Sequence, residues 1–294
     1  MIPQTAQNQA ETLQSLVKRR AKPPERTTKV ITVCSGKGGV GKTVVSVNLA
    51  LRLASIGLRT LLIDLDPGLA NVDVHMRLAG RHDVDDILEG LCRPADALLV
   101  ADRGLLVVPG GRATEAERER LLAIRDRSGP KTLVDRVLQS MPAIDVVVLD
   151  TGAGVGPWVQ GAIEIAHRTV VVTQSDPASV TDAYGVIKVA HAIRDDIEPS
   201  LLVNRVTGKD EAILTATRLR KVASTFLGFR PELLGWFHEH QAIASSVRTQ
   251  VPFSLRLDEQ HPSQRELAVI SAKLADSMRL VTTASRSRSG EMSH

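Results

Sequence analysis

Residues 35–43 read Ser-Gly-Lys-Gly-Gly-Val-Gly-Lys-Thr, which gives Gly36, Gly41, Lys42 and Thr43 the G-x-x-x-x-G-K-T spacing of a phosphate-cradling loop. Gly36, Gly38, Gly39 and Gly41, with Val40 among them, let successive backbone N–H groups converge on phosphate oxygens without a side chain in the way. A helix beginning at Lys42 adds the partial positive charge of its N-terminus. By type and position, Lys42 should contact the β- and γ-phosphates of a nucleotide, and the Thr43 hydroxyl should ligate Mg2+. Lys37 is surplus to such a loop. One residue past the first glycine, it is badly placed to reach a nucleotide held by its own loop. It can reach a partner's phosphates across a dimer interface, as an arginine finger does.

Two aliphatic runs end in carboxylates. Leu61-Leu62-Ile63 leads into Asp64-Leu65-Asp66, and Val146-Val147-Val148-Leu149 closes on Asp150. Acids at the C-terminal ends of strands face the crevice in which α/β folds bind ligands. Asp64 is a candidate for holding Mg2+ or its waters, and Asp66 for orienting or deprotonating an attacking water. Gly152 and Gly154, just past Asp150, suit a loop that senses a terminal phosphate. One acid at a strand end is most often a helix cap or a solvated turn. Three of them beside a phosphate loop argue for chemistry.

These groups need rigid elements behind them. Short apolar runs at 30–34, 60–63, 105–108, 146–149, 169–173, 201–203 and 233–236 alternate with helical stretches. Several are aliphatic on both parities, as strands buried on two faces should be. The pattern predicts an α/β fold with a mostly parallel sheet flanked by helices. The helix after the phosphate loop should carry Val44, Val47, Leu51 and Ala54 on one face, and a late helix Leu267, Ile270, Leu274 and Met278. Ahead of the domain, Ala6, Ala10, Leu13 and Val17 form one stripe of a short helix over residues 1–20, and Lys22-Pro23-Pro24-Glu25 ends it. The expected division is an N-terminal helix and linker at 1–28, one domain at 29–281, and a Ser/Arg-rich tail at 282–294.

The chain has 294 residues and a net charge of +4. Six Lys and Arg against two Glu in residues 1–30 account for all of it, so the remainder is neutral. A basic excess confined to one segment speaks about that segment's partner and argues against a nucleic-acid-binding domain surface. Cys34 and Cys92 are too few for a disulfide scaffold and fit a reducing cytoplasm. No run approaches the roughly 18–20 apolar residues of a membrane span. His238-Glu239-His240 lacks a second pair of ligands for a metal, and Cys34, Trp158 and Trp236 read as core.

The stretch Gly36–Thr43 resembles the deviant Walker A motif of the MinD/ParA ATPases, a family of P-loop NTPases. Lys37 matches that family's signature lysine. The resemblance implies a homodimer that sandwiches ATP with Mg2+. It also implies that Asp66 is the hydrolysis residue, that Asp150 is the Walker B aspartate linked to Mg2+ through water, and that Asn204, followed by Arg205, recognises the adenine. Asp64–Asp73 is similar to the switch I shared by MinD and the FlhG branch of the family. Asp150–Gly154 and Ser179–Tyr184 look more like the FlhG branch. Asn8–Gln14 resembles that branch's activation helix, D-Q-A-x-x-L-R, with Asn8 and Gln14 each replacing a charged residue.

What this implies is a slow, dimerising switch ATPase that regulates the number or placement of flagella. Residues 1–20 would engage an FlhF-like GTPase of the signal-recognition-particle type. A flagellar transcription regulator or a switch-complex component would be further partners. MinD-type proteins dock on membranes through a C-terminal amphipathic helix. Here Thr282–His294 is short of large apolar residues, so weak or indirect membrane contact is expected, with a cytoplasmic protein at most peripheral at the inner face of the membrane or the cell pole. The alternative is a ParA-like ATPase that positions DNA or another cargo.

Overall fold

β1 (Lys29–Ser35) is buried along nearly its whole length, and its parity serves two cores: Ile31 and Val33 face one side, Val30 and Cys34 the other. The computed structural model describes residues 28–66, 71–111, 126–141, 143–196 and 198–280. After β1 the chain forms α1 (Lys42–Ser55), β2 (Thr60–Leu65), α2 (Val72–His75), α3 (Val84–Glu89), β3 (Leu99–Val100) and β4 (Leu106–Val108). It continues through α4 (Gly129–Ser140), β5 (Val146–Ala153), α5 (Pro157–Glu164), β6 (Arg168–Thr173), α6 (Pro177–Ile193) and β7 (Ser200–Val206). The last described elements are α7 (Lys209–Leu227), β8 (Leu233–His238), α8 (Gln241–Thr249), α9 (Phe253–Arg256) and α10 (Pro262–Ser277).

The eight strands make one sheet in the order β3-β4-β2-β5-β1-β6-β7-β8, parallel throughout except for β3 against β4. From β1 the chain moves to one side to reach β2, and from β5 it crosses β1 to reach β6. The winding therefore reverses at β1, and the crevice for a ligand opens at that strand's C-terminal end. The phosphate loop occupies that place.

Both faces of the sheet are covered. On one, Leu49 and Leu53 of α1 and Leu267, Ile270 and Leu274 of α10 pack on Ile31, Leu62 and Val148. On the other, Leu133, Val137 and Trp158 cover the β2–β5 half, and Val186, Ile187 and Leu219 cover the β6–β7 half. Each such aliphatic side chain contributes about 1.5–3 kcal/mol relative to an exposed one.

α1 is broader in its burial than the single stripe expected from its sequence. Val45, Leu49 and Leu53 are buried together with Val47 and Leu51, because α1 packs on α9 and α10 as well as on the sheet. The late stripe at Leu267, Ile270, Leu274 and Met278 packs into the same core. β4 begins one residue after the expected run, and β3 was not anticipated. The segments expected to form an N-terminal helix, most of its linker and the tail, and Pro67–Ala70 of the expected switch I, lie outside the described residues. No helix among the described residues is long and apolar enough to cross a membrane.

Candidate active site

The phosphate loop is held at both ends by close packing. Gly41 precedes α1 with φ 92°, a left-handed conformation that favours glycine, and no side chain caps the helix. A Cβ on Gly41 would stand 2.3 Å from the Asn204 amide nitrogen. That nitrogen donates to the Val40 carbonyl at 2.7 Å, so the end of β7 grips the loop from the far side of the sheet. At the loop's start, a Cβ on Gly36 would lie 2.3 Å from the backbone oxygen of Asp182 on α6. Lys42 is buried beneath the loop, while Cys34, just before it, has its thiol pushed up to about 12 by burial and is inert core.

The two acids sit side by side, since Asp64 of β2 and Asp150 of β5 are register partners; β5 runs on to Ala153, so Asp150 lies inside the strand rather than closing it. Asp150 accepts from the Ser46 hydroxyl at 2.8 Å and from the Thr43 hydroxyl. Burial pushes its carboxyl up, against the charge of Lys42. Asp64 is placed differently from a simple metal ligand. Oδ1 accepts from the Asp66 N–H at 2.9 Å, and Oδ2 from the N–H groups of Asn71 and Val72 at 2.9 and 3.1 Å. Burial, and then the neighbouring Asp150, push its carboxyl up to about 7. Asp64 thus ties together the two ends of the switch segment that starts at Asp66.

The loop, Lys42, Thr43 and Asp66 open onto a cleft of about 630 Å³, a size that suits a nucleotide, while Asp64 and Asp150 are buried and do not line it. Gly38, Gly39, Gly41, Lys42 and Thr43 of the loop line it, together with Asp66, Asn71, His75 and Ala153, and with Asn204 and Arg205 at the end of β7, where Asn204 lies against the loop. Further lining comes from Val44 of α1 and from the β8–α8 region: His238, Glu239, His240, Ile243, Ala244 and Val247. His238 pairs through Nδ1 with Glu266 of α10, and His240 Nδ1 accepts from Ala242 N at 3.1 Å to cap α8. Arg205, with φ 58°, reaches Glu239 across the rim at 3.3 Å.

Lys37 does not line this cleft. Its Nζ lies 3.8 Å from Asp176 Oδ1, and both side chains are close to half exposed. Asp176 caps α6 by accepting from Ser179 N at 3.0 Å. The residue before it, Ser175, donates to Glu211, whose carboxylate also accepts from the backbone and hydroxyl of Thr207. These bonds pull the Glu211 carboxyl down to about 2. A carboxyl depressed on folding adds stability above its unfolded value near 4.5, and that stability is lost as pH falls toward about 2. Glu211→Gln should therefore be slightly less stable than wild type at neutral pH, with the gap closing in acid. Urea unfolding at about pH 7 and about pH 2.5 checks it.

The lining residues that sequence reasoning missed are Asn71, His75, Ile243 and Ala244, and behind them Ser46; His238–His240 follows a predicted strand, where the family resemblance already implied pocket lining. Ser46 alone carried a signal, four residues past Lys42 on the helix face that looks toward Asp150.

A strand, a glycine loop and a helix under a parallel sheet, with paired acids in the C-terminal halves of two neighbouring strands, define a P-loop nucleotide-binding protein. The CbiA family, described as the CobQ/CobB/MinD/ParA nucleotide binding domain, matches residues 31–253. The chain belongs to this MinD/ParA family, and within it resembles the FlhG/FleN members. It is 35% identical to the antiactivator FleN of Pseudomonas aeruginosa over 76% of this chain and 78% of that protein. It is 34% identical to the flagellum site-determining protein YlxH of Helicobacter pylori over 67% of this chain and 64% of that protein. Among solved structures, the MinD cell division protein of Aquifex aeolicus superposes with a TM-score of 0.67 at 26% identity, covering 85% of this chain and 97% of that one.

Proposed function

We propose that the protein is a slow, dimer-dependent ATPase of the FlhG/MinD type, a switch that sets the number or placement of flagella. The observation that carries the reading is Lys37. It stands beside a fully furnished phosphate cleft yet outside it, poised to serve a second subunit. In a sandwich of two copies, each Lys37 meets the partner's nucleotide and supplies the positive charge that a transferring phosphoryl group needs.

The donor set fits Mg2+ beside the nucleotide. The Thr43 hydroxyl and the Asp150 carboxylate are already in contact, and that bond could be exchanged for a cation or its waters. The cation would supply charge neutralisation at the phosphates. Asp64, expected at the metal, has both oxygens committed to backbone N–H groups. We assign it to holding the switch segment, within reach of the metal's waters through its neighbour Asp150. Lys42 and the loop amides bind the phosphates, Asp66 positions the attacking water, and Asn204 and Arg205 face the adenine.

The printed roles of two relatives, antiactivator and flagellum site-determining protein, support the flagellar assignment. A flagellar transcription regulator is a partner consistent with the first. Residues 1–20 are assigned to an FlhF-like GTPase. Membrane contact is weak or indirect, and the protein acts in the cytoplasm, at most peripherally at the membrane or cell pole.

Counting flagella and their positions in cells whose only copy carries Asp66→Ala tests this reading. A changed number or placement is expected. Unchanged flagella, with a protein shown to bind but not hydrolyse ATP, would contradict the flagellar role and leave the ATPase standing.

A further inference from the structure

We propose that Asp176 is a positioning residue that holds Lys37 on its own subunit until ATP brings two subunits together. This rests on the reading above, that Lys37 acts across a dimer.

The geometry fixes both ends of the contact. On the lysine side, Gly36 presses against the backbone of α6 with no room for a Cβ, and the Ser35 hydroxyl donates to the Lys37 carbonyl at 2.8 Å. The backbone that presents Lys37 is thereby docked beside the start of α6. On the acid side, Asp176 is held by its cap to Ser179, and Ser175 before it is held by Glu211. Only the lysine side chain is left to move. Its ammonium lies 3.8 Å from Asp176 Oδ1, and the pair faces solvent.

A pair this exposed is weak, and a weak pair suits a latch. A partner's triphosphate outcompetes a single carboxylate, so the lysine transfers when a loaded partner arrives. Before that, each subunit must give up its own Lys37–Asp176 contact, which raises the concentration at which dimers form. Exposed ion pairs of this kind amount to roughly a 1.5- to five-fold effect each, and every dimer breaks two of them. They also fade with salt, since the Debye length shortens to about 3 Å at 1 M.

Sedimentation velocity with Mg-ATP on the full chain, in an Asp66→Ala background that retains ATP, tests the latch. Asn and Ser both still cap a helix, so Asp176→Asn and Asp176→Ser remove the charge and keep α6 capped. Either should dimerise at a roughly two- to twenty-five-fold lower protein concentration than Asp66→Ala alone, because two contacts per dimer are removed, the gap closing as salt rises to about 0.5 M. Asp196→Asn, which removes a like charge paired with Arg194 beyond the other end of α6, should leave dimerisation unchanged. No shift in both Asp176 variants, or an equal shift in the Asp196 control, overturns the latch. If Asp66→Ala alone stays monomeric with ATP, or still dimerises as well after Lys37→Ala, the role of Lys37 across the dimer has failed and the latch falls with it.

Discussion

Replacing Asp66 by alanine should lower ATP turnover by about two to four orders of magnitude and leave Mg-ATP affinity within about two-fold. Asp66 lies at the mouth of the cleft, one residue beyond the end of β2. Its backbone N–H donates to Asp64, so Asp64 fixes where its side chain starts. It is only partly buried, and its charge helps push the Asp150 carboxyl up, which places it on the same side of the cleft as the metal-binding candidates. The phosphate contacts are assigned to the loop and Lys42, on a different element, so binding should survive. Equilibrium binding of a fluorescent ATP analogue alongside single-turnover hydrolysis separates the two effects. A proportional loss of both would mean that Asp66 holds the nucleotide, and the assignment to water would be wrong.

Gly36→Ala should weaken Mg-ATP binding roughly ten- to hundred-fold in a protein that remains folded. The added Cβ would lie 2.3 Å from a helix backbone oxygen, and backbone cannot swing aside as a long side chain can. Either α6 or the loop must shift, and overpacking of this kind costs about 1–3 kcal/mol. The loop is the softer of the two, because α6 is pinned to the sheet through Val186 and Ile187. The damage is therefore expected in nucleotide affinity more than in global stability. Gly185→Ala, on the same helix with open space around its Cβ, is the control: it should bind ATP normally and be stabilised by about 0.5–1 kcal/mol. Isothermal titration and thermal melts on both variants check the contrast.

Much of this arrangement could be read from residue order, and the reasons are local. The loop at 36–43 carries its own spacing, and strands such as Val146–Leu149 announce themselves by continuous aliphatic character. Asp64, Asp66 and Asp150 were legible because each closes such a run. What could not be read depends on long-range pairing. Nothing near residue 60 says that β5 inserts between β1 and β2, yet that insertion makes Asp64 and Asp150 neighbours. Asn204 reaches Val40 across 164 positions. Ile243 and Ala244 of α8 are recruited by sheet order, and His238 is tied to α10 by Glu266, a residue with no motif around it. β3 escaped notice because two residues are too few to show a period.

The central claim is that Lys37 works on the nucleotide of a second subunit, and mixing two inactive variants tests it most directly. Lys37→Ala keeps Asp66 beside its own nucleotide, and Asp66→Ala keeps an intact lysine to lend. Mixed in equal amounts with Mg-ATP, half of the dimers should be mixed and each should hold one complete site, so turnover should recover to about a quarter of wild type at most. Recovery well above either variant alone is the predicted result. Turnover that stays at the sum of the two variants, under conditions where sedimentation shows mixed dimers, would place Lys37 at its own subunit's nucleotide and contradict the account.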